Sequence, residues 1–249
     1  MDVQKASVWK RAAAGLLDTM LLLLVAAGIF ILMLTVFDYD GVLNDSEALQ
    51  NSYLEAYGID KSWIGSPDLT PEQKALMDEA EDAFGQDVQA LTLWEKMTGY
   101  LLTSLSVGCL AGILLLEFVV PLLFRNGQTV GKKVFSLSVT RVDGVKMTTL
   151  QLFIRTLLGR FTIETMFPVY VILLIYVGSL GMIGTIILMA LAIGQVILMS
   201  ATENRSLIHD LLAGTVVVDH TTQKIYRSTE DLISHKKRIA AERAARQEY

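Results

Sequence analysis

Scarcity narrows the chemistry of this 249-residue chain first. It has one cysteine, Cys109, so no intrachain disulfide can form, and that residue sits in an apolar stretch where it carries no information on redox compartment. Its three histidines, His209, His220 and His235, are confined to the C-terminal fifth and follow no metal-ligand spacing. An enzyme is therefore not expected, nor a cofactor or a bound metal, and nucleic acid is not among the expected partners. Basic residues are scarce over Asp38 to Met97, with three Lys/Arg against fourteen Asp/Glu, whereas Arg125 to Arg160 has seven against one. Charge is thus segregated along the chain, and the net −5 belongs to one segment of it.

What is abundant is apolar: 52% of residues are hydrophobic and mean hydropathy is +0.45. Ala12 to Phe37 is 26 residues with a single charge, Asp18, and Tyr100 to Phe124 is 25 with only Glu117. Each suffices to cross about 30 Å of hydrocarbon at 1.5 Å per residue. Phe161 to Ala201 is apolar apart from Glu164, and Gly178, Ser179 and Gly181 divide it into a helical hairpin. The expected fold is a membrane all-α protein with four transmembrane helices, at about 12–37, 100–124, 161–177 and 180–201.

The distribution of positive charge places the N-terminus, the middle loop and the tail on the cytoplasmic side, giving a multi-pass cell-membrane protein with both termini inside. The alternative of a cleaved leader over residues 5–28 is disfavoured, because the apolar run continues to Phe37 and contains Asp18. Residues 38–97 then form an acidic extracytoplasmic insertion, with helices expected from Ser46 to Tyr57 and, behind a Thr70-Pro71-Glu72-Gln73 start, to about Phe84. "DYDGVLNDSE" lacks the third oxygen ligand expected before the glycine of a calcium loop and reads as a solvated acidic turn.

In the middle loop, "RNGQTVGKK" is one residue too short between Gly127 and Gly131 for a phosphate loop, and Lys133 stands where Ser or Thr should bind magnesium. Phe135, Leu137 and Val139 alternate with polar residues and lead to an Asp143-Gly144 turn, predicting a β-hairpin; "GTVVVD" (Gly214 to Asp219) could pair with it in a small cytoplasmic β element. Leu150, Phe153, Ile154, Leu157 and Leu158 share a face opposite Gln151, Arg155 and Arg160, as in an interfacial amphipathic helix. Residues 220–249 form a charged cytoplasmic tail.

The candidate site rests on polar residues inside apolar spans. Asp18, Glu117 and Gln195 all fall about 10 to 12 Å from the cytoplasmic edge, on three different helices. Arg11 and Asp18 share a face. Glu117 aligns with Ile113, Leu110, Ser106 and Thr103, apart from the small-residue stripe of Ser104, Gly108 and Gly112. Two readings stand side by side: Asp18 paired with an arginine, Arg155 or Arg160, as an anchor of the fold, or two neighbouring carboxylates that share a proton or a cation.

"WKRAAAGLLD", "GQTVGKKVFSLSVTRVDG", Arg155 and "HDLLAGTVVV", in that order, together resemble the RDD family of membrane proteins, named for one arginine and two aspartates. The resemblance assigns those roles to Arg11, Asp18 and Asp210 and covers Val8 to Asp219, with Gly127, Gly131, Lys132 and Gly214 in the cytoplasmic motif. Val130 stands where proline is common, and the acidic loop is longer than the family pattern. The resemblance implies transport, with some members similar to sodium/proton antiporters. The expected activity is exchange of Na+, Li+ or K+ against H+ across the lipid bilayer by a possible homo-oligomer; the alternative is a scaffold that binds other membrane proteins through the acidic loop.

Overall fold

The computed structural model describes residues 6–124, 127–166, 168, 181–202 and 206–247. Its elements are α1 (Val8–Val36), α2 (Tyr39–Ala56), α3 (Pro71–Gln86), α4 (Val88–Phe124), α5 (Val130–Val134), β1 (Leu137–Arg141), α6 (Thr149–Phe153), α7 (Gly181–Ala201), α8 (Ile208–Ala213), β2 (Thr215–Asp219) and α9 (Thr229–Gln247). α6 runs on as a π-type helix, Ile154–Glu164.

Among the described residues, α1 and α4 are long and apolar enough to cross a bilayer, with 18-residue stretches reaching mean hydropathies of 2.7 and 2.4. Their burial is inverted relative to a soluble core. On α1 the buried residues are Ala14 and Asp18, while Leu16, Leu23, Leu24 and Ile31 are exposed. Leucines outside and a carboxylate inside suit hydrocarbon as the surrounding solvent. α7 is a third apolar helix of 21 residues. Most of the proposed 161–177 span, and the hairpin bend at Gly178 and Ser179, lie outside the described residues.

Contacts divide the chain into two units, Ala27–Gly108 and Met1–Ala26 with Cys109–Tyr249. In the first, α3 starts as its sequence predicts. Thr70 accepts from the Gln73 backbone N–H, the Gln73 side chain accepts from Thr70 N–H, and Pro71 takes the first turn. Tyr53 of α2 packs edge-on to Phe84 of α3 and donates to Asp87 Oδ2 at 2.6 Å. "DYDGVLNDSE" is not the expected turn. It forms the start of α2, which begins at Tyr39 rather than Ser46, after Asp38 turns the chain through a left-handed conformation. Asp40 then lies in the first turn, where a negative charge favours a helix.

In the second unit, β1 pairs antiparallel with β2, Leu137 opposite Asp219 and Arg141 opposite Thr215. The expected hairpin is reduced: the Asp143-Gly144 turn closes, but its return segment forms isolated bridges, Lys146 to Thr140 and Val145 to Tyr226, rather than a strand. A hairpin alone is marginal, and pairing with β2 instead places β1 in a packed core. Leu137, Ser138, Val139 and Thr140 are all buried, and Leu137 and Val139 join Ala14, Leu152 and Val217 in one apolar cluster with Phe118 against it. The strand end is held to α1 by Lys10 Nζ on Asp219 Oδ2 at 2.7 Å, which with the Thr221 contacts holds the Asp219 carboxyl down at about 2. The tail is helical from Thr229, and its Leu232 is buried with Val145 and Tyr226.

One face assignment is corrected. Gly112 packs on Leu22 and Ala26 of α1, and Glu117 is buried on that inward side with Ile113 and Pro121, whereas Leu110 and Thr103 are exposed. The cause is a π-type turn at Leu114–Val119, where the i to i+5 bonding accommodates an extra residue and rotates the residues beyond it. A straight 3.6-residue period cannot foresee that shift.

Candidate functional site

Four segments converge with α1 and α4 on a buried network of charge. The first is the start of α5. Thr129 caps it, and Val130 occupies the first helical position, where proline is also accommodated. The anion at this helix start is the chain's own Asp18. The Thr129 hydroxyl donates to Asp18 Oδ2 at 2.5 Å, the Gly131 N–H donates to Oδ1 at 2.7 Å, and Lys132 Nζ lies 3.4 Å from Oδ2. A Cβ on Gly131 would overlap the Ala14 carbonyl oxygen and sit 2.9 Å from the Asp18 carboxylate, so only glycine lets the loop reach α1. Gly127, with φ of +62°, turns the chain into this loop against Val139 and Met147.

The second segment is the helix from Thr149 to Glu164, started by a Thr148–Gln151 capping box. Arg155, Thr156 and Gly159 are buried on it, and Leu150 and Leu158 are exposed. The charged side thus faces protein, and the apolar side faces out. Thr156 donates to the Glu117 carbonyl at 3.0 Å, and Arg160 Nη1 meets Glu117 Oε1 at 2.5 Å.

The third segment, α8, approaches where Gly159 leaves room: a Cβ there would lie 2.6 Å from His209 Cβ. Asp210 is fully buried between two arginines, with Arg155 Nε at 3.0 Å on Oδ1 and Arg11 Nη2 at 3.3 Å on Oδ2, while the Thr215 hydroxyl donates to Oδ1 at 3.1 Å. Burial alone would raise the Asp210 pKa; the charge of Arg155, together with that of Arg11, overcomes it and holds the carboxyl well below the usual carboxylate range. Gly214, at φ +62°, ends α8 and sends the chain directly into β2.

His209 sits between Arg155 Nη2, 2.9 Å from Nε2, and Glu164 Oε1, 2.7 Å from Nδ1. Arginine can only donate, so Nε2 accepts and the ring proton is assigned to Nδ1, donated to Glu164. The ring is therefore neutral, in keeping with burial, which pushes its pKa down against the opposing charge of Asp210. Burial likewise lowers the Lys132 pKa, against the pull of Glu117 and Asp18.

A cavity of about 240 Å³ opens on this network, walled in part by Arg11, Lys132, Arg155, Arg160, Glu164 and Asp210. Gln195 of α7, the fourth contributing segment, lines it as well.

Every site residue named from the sequence therefore falls within one unit, but the pairing differs from the one expected. Arg11 and Arg155 bind Asp210, not Asp18, and Arg160 binds Glu117. Asp18 has Lys132, 114 positions further along the chain. Sequence reasoning missed Thr129, Thr156 and His209. Thr129 carried a readable signal as a cap ahead of "GKK"; His209 carried only its place beside Asp210.

The RDD family model matches residues 5–214 of this chain, spanning α1, the Asp18 loop, the arginine helix and α8. The chain belongs to the RDD family. No curated protein and no solved structure matches it. In this RDD protein the arginine Arg11 and the aspartate Asp210 form a direct pair across the fold, and the other aspartate, Asp18, ties α1 to the loop. The RDD chain is thus a membrane protein whose matched region holds the whole charge network.

Proposed function

We propose that this RDD membrane protein exchanges a monovalent cation, Na+, Li+ or K+, for a proton, and that the two compete at the Asp18–Lys132 pair. The observation that supports this is the position of Lys132, which touches Asp18 Oδ2 at 3.4 Å and also walls the cavity. With Lys132 protonated, Asp18 is neutralised. When Lys132 releases its proton to the cavity, Asp18 retains its charge and takes the metal cation, so one positive charge replaces another. Burial favours this exchange because it weakens the hold of Lys132 on its proton. Glu117 stays neutralised by Arg160, and Gln195 offers a neutral oxygen to a passing cation. The mechanism uses four spans with both termini cytoplasmic in the cell membrane, and a homo-oligomer if four helices leave too narrow a path.

Proteoliposomes carrying a pH gradient test it. The wild type is expected to move cation against proton, and Asp18→Asn to lower the flux at least about tenfold with the protein still monodisperse. Lys132→Gln is expected to keep cation–cation exchange and lose its dependence on pH. No flux of any of the three cations from well-folded protein ends this reading.

A second reading, a scaffold that binds other membrane proteins through the insertion, draws on a cavity of about 380 Å³ lined by Tyr53, Leu54, Ile59, Ile64, Met77 and Phe84. Under it, deleting residues 45–84 should abolish partner capture in pull-downs and spare flux.

A further inference from the structure

The cavity wall is unbalanced in charge. Four cationic side chains, Arg11, Lys132, Arg155 and Arg160, line it against two carboxylates, Glu164 and Asp210. The carboxylates that complete the balance, Asp18 and Glu117, are not on the wall; they engage Lys132 and Arg160. His209 adds no charge, since its Nε2 accepts from Arg155. Donors remain on this wall too. Arg155 uses Nε and Nη2, and Arg160 uses Nη1, which leaves Arg155 Nη1 and Arg160 Nε and Nη2 without a hydrogen bond among the described residues.

We infer that this cavity is a binding site for a phosphate group, held by the arginine edges of Arg155 and Arg160 with Lys132 and Arg11 supplying further positive charge. Guanidinium edges match tetrahedral oxyanions in geometry, and a low-dielectric wall strengthens the attraction. The site lies toward the charged end of an apolar helix, beside Arg11 and Gly15, the end expected from its positive charge to meet the inner leaflet. The phosphate can thus come from an anionic lipid or from solution. The inference goes beyond ion exchange and stands whether or not Asp18 and Lys132 exchange ions. A phosphate seated here would also lower the repulsion a metal cation meets on this wall.

Gly15 provides the test. It lines the cavity, and a Cβ built on it meets nothing within 4 Å, so Gly15→Leu adds bulk there without replacing any residue of an ion pair. The full chain is reconstituted in vesicles of phosphatidylglycerol and phosphatidylcholine, and lipid retained after extraction is read by native mass spectrometry; a parallel arm titrates inorganic phosphate against the melting temperature. Wild type is expected to retain phosphatidylglycerol over phosphatidylcholine by at least about tenfold, and Gly15→Leu to lose that preference. If inorganic phosphate instead raises the melting temperature of the wild type but not of Gly15→Leu, the site stands with a soluble source. Equal behaviour of wild type and Gly15→Leu toward both probes overturns the inference. Should Gly15→Leu not fold, the charge-balanced pair Glu117→Gln with Arg160→Gln replaces it, with the same loss expected and the same equality overturning.

Discussion

Asp210→Ala is expected to destabilise the protein by about 3 to 5 kcal/mol, read as a fall in the melting temperature of purified protein and in membrane accumulation. The size reflects the charges left behind. Asp210 has no exposed surface, and the side chains of Arg11 and Arg155 are only 7% and 6% exposed. Removing the carboxylate leaves two largely buried guanidinium groups without the anion they share. Arg11→Ala should cost less, because Arg155 and Thr215 still satisfy Asp210. Replacing the three together, Arg11→Met, Arg155→Met and Asp210→Leu, should recover much of the loss, since removing a whole buried ionic group also removes its desolvation penalty. A small effect of Asp210→Ala alone would contradict the burial of this triad.

The pH dependence has a definite sign. The folded pKa of Asp210 is depressed, so its contribution is fully present above the ordinary carboxylate range and is lost only as pH falls below that range, through the folded value. Mild acid should therefore leave the Arg11–Asp210–Arg155 triad intact, and its loss should appear only in strong acid.

Gly131→Ala is expected to cost about 3 kcal/mol, through steric overlap and a weakened charge-assisted hydrogen bond. The added methyl would collide with the backbone oxygen of Ala14, and a backbone atom cannot swing aside as a side-chain tip can. Relief requires the loop to lift from α1, and that movement pulls the Gly131 N–H and the Thr129 hydroxyl off Asp18. Gly15→Ala is the control on the same helix, with open space around it, and should leave melting unchanged. Equal melting temperatures for Gly131→Ala and the wild type would show that the loop does not dock as described.

Several elements were legible because their causes are local. The α3 start at Thr70 needed only a capping box and a proline within four residues. The two spans needed only long apolar runs, and both strands appeared where β-branched residues cluster next to turns. The start of α2 was misjudged because acidic residues suggested a solvated turn, whereas at a helix N-terminus they stabilise the first turn. The face of Glu117 was misjudged because periodicity assumes one helical pitch throughout, and the π-type turn breaks it.

By itself the sequence determined the apolar spans, the segregation of charge, the helix caps, the strand segments and the set of polar residues that had to be reconciled with hydrocarbon. Only the tertiary structure decided who pairs with whom. Arg11 and Asp210 are 199 positions apart, and Arg160 and Glu117 are 43 apart. Their meeting depends on the close approach that Gly131 and Gly159 permit, and on helix register altered by π-type turns. Charge opposition requires that each buried carboxylate find a cation, but among several candidates on one layer it is packing that selects which.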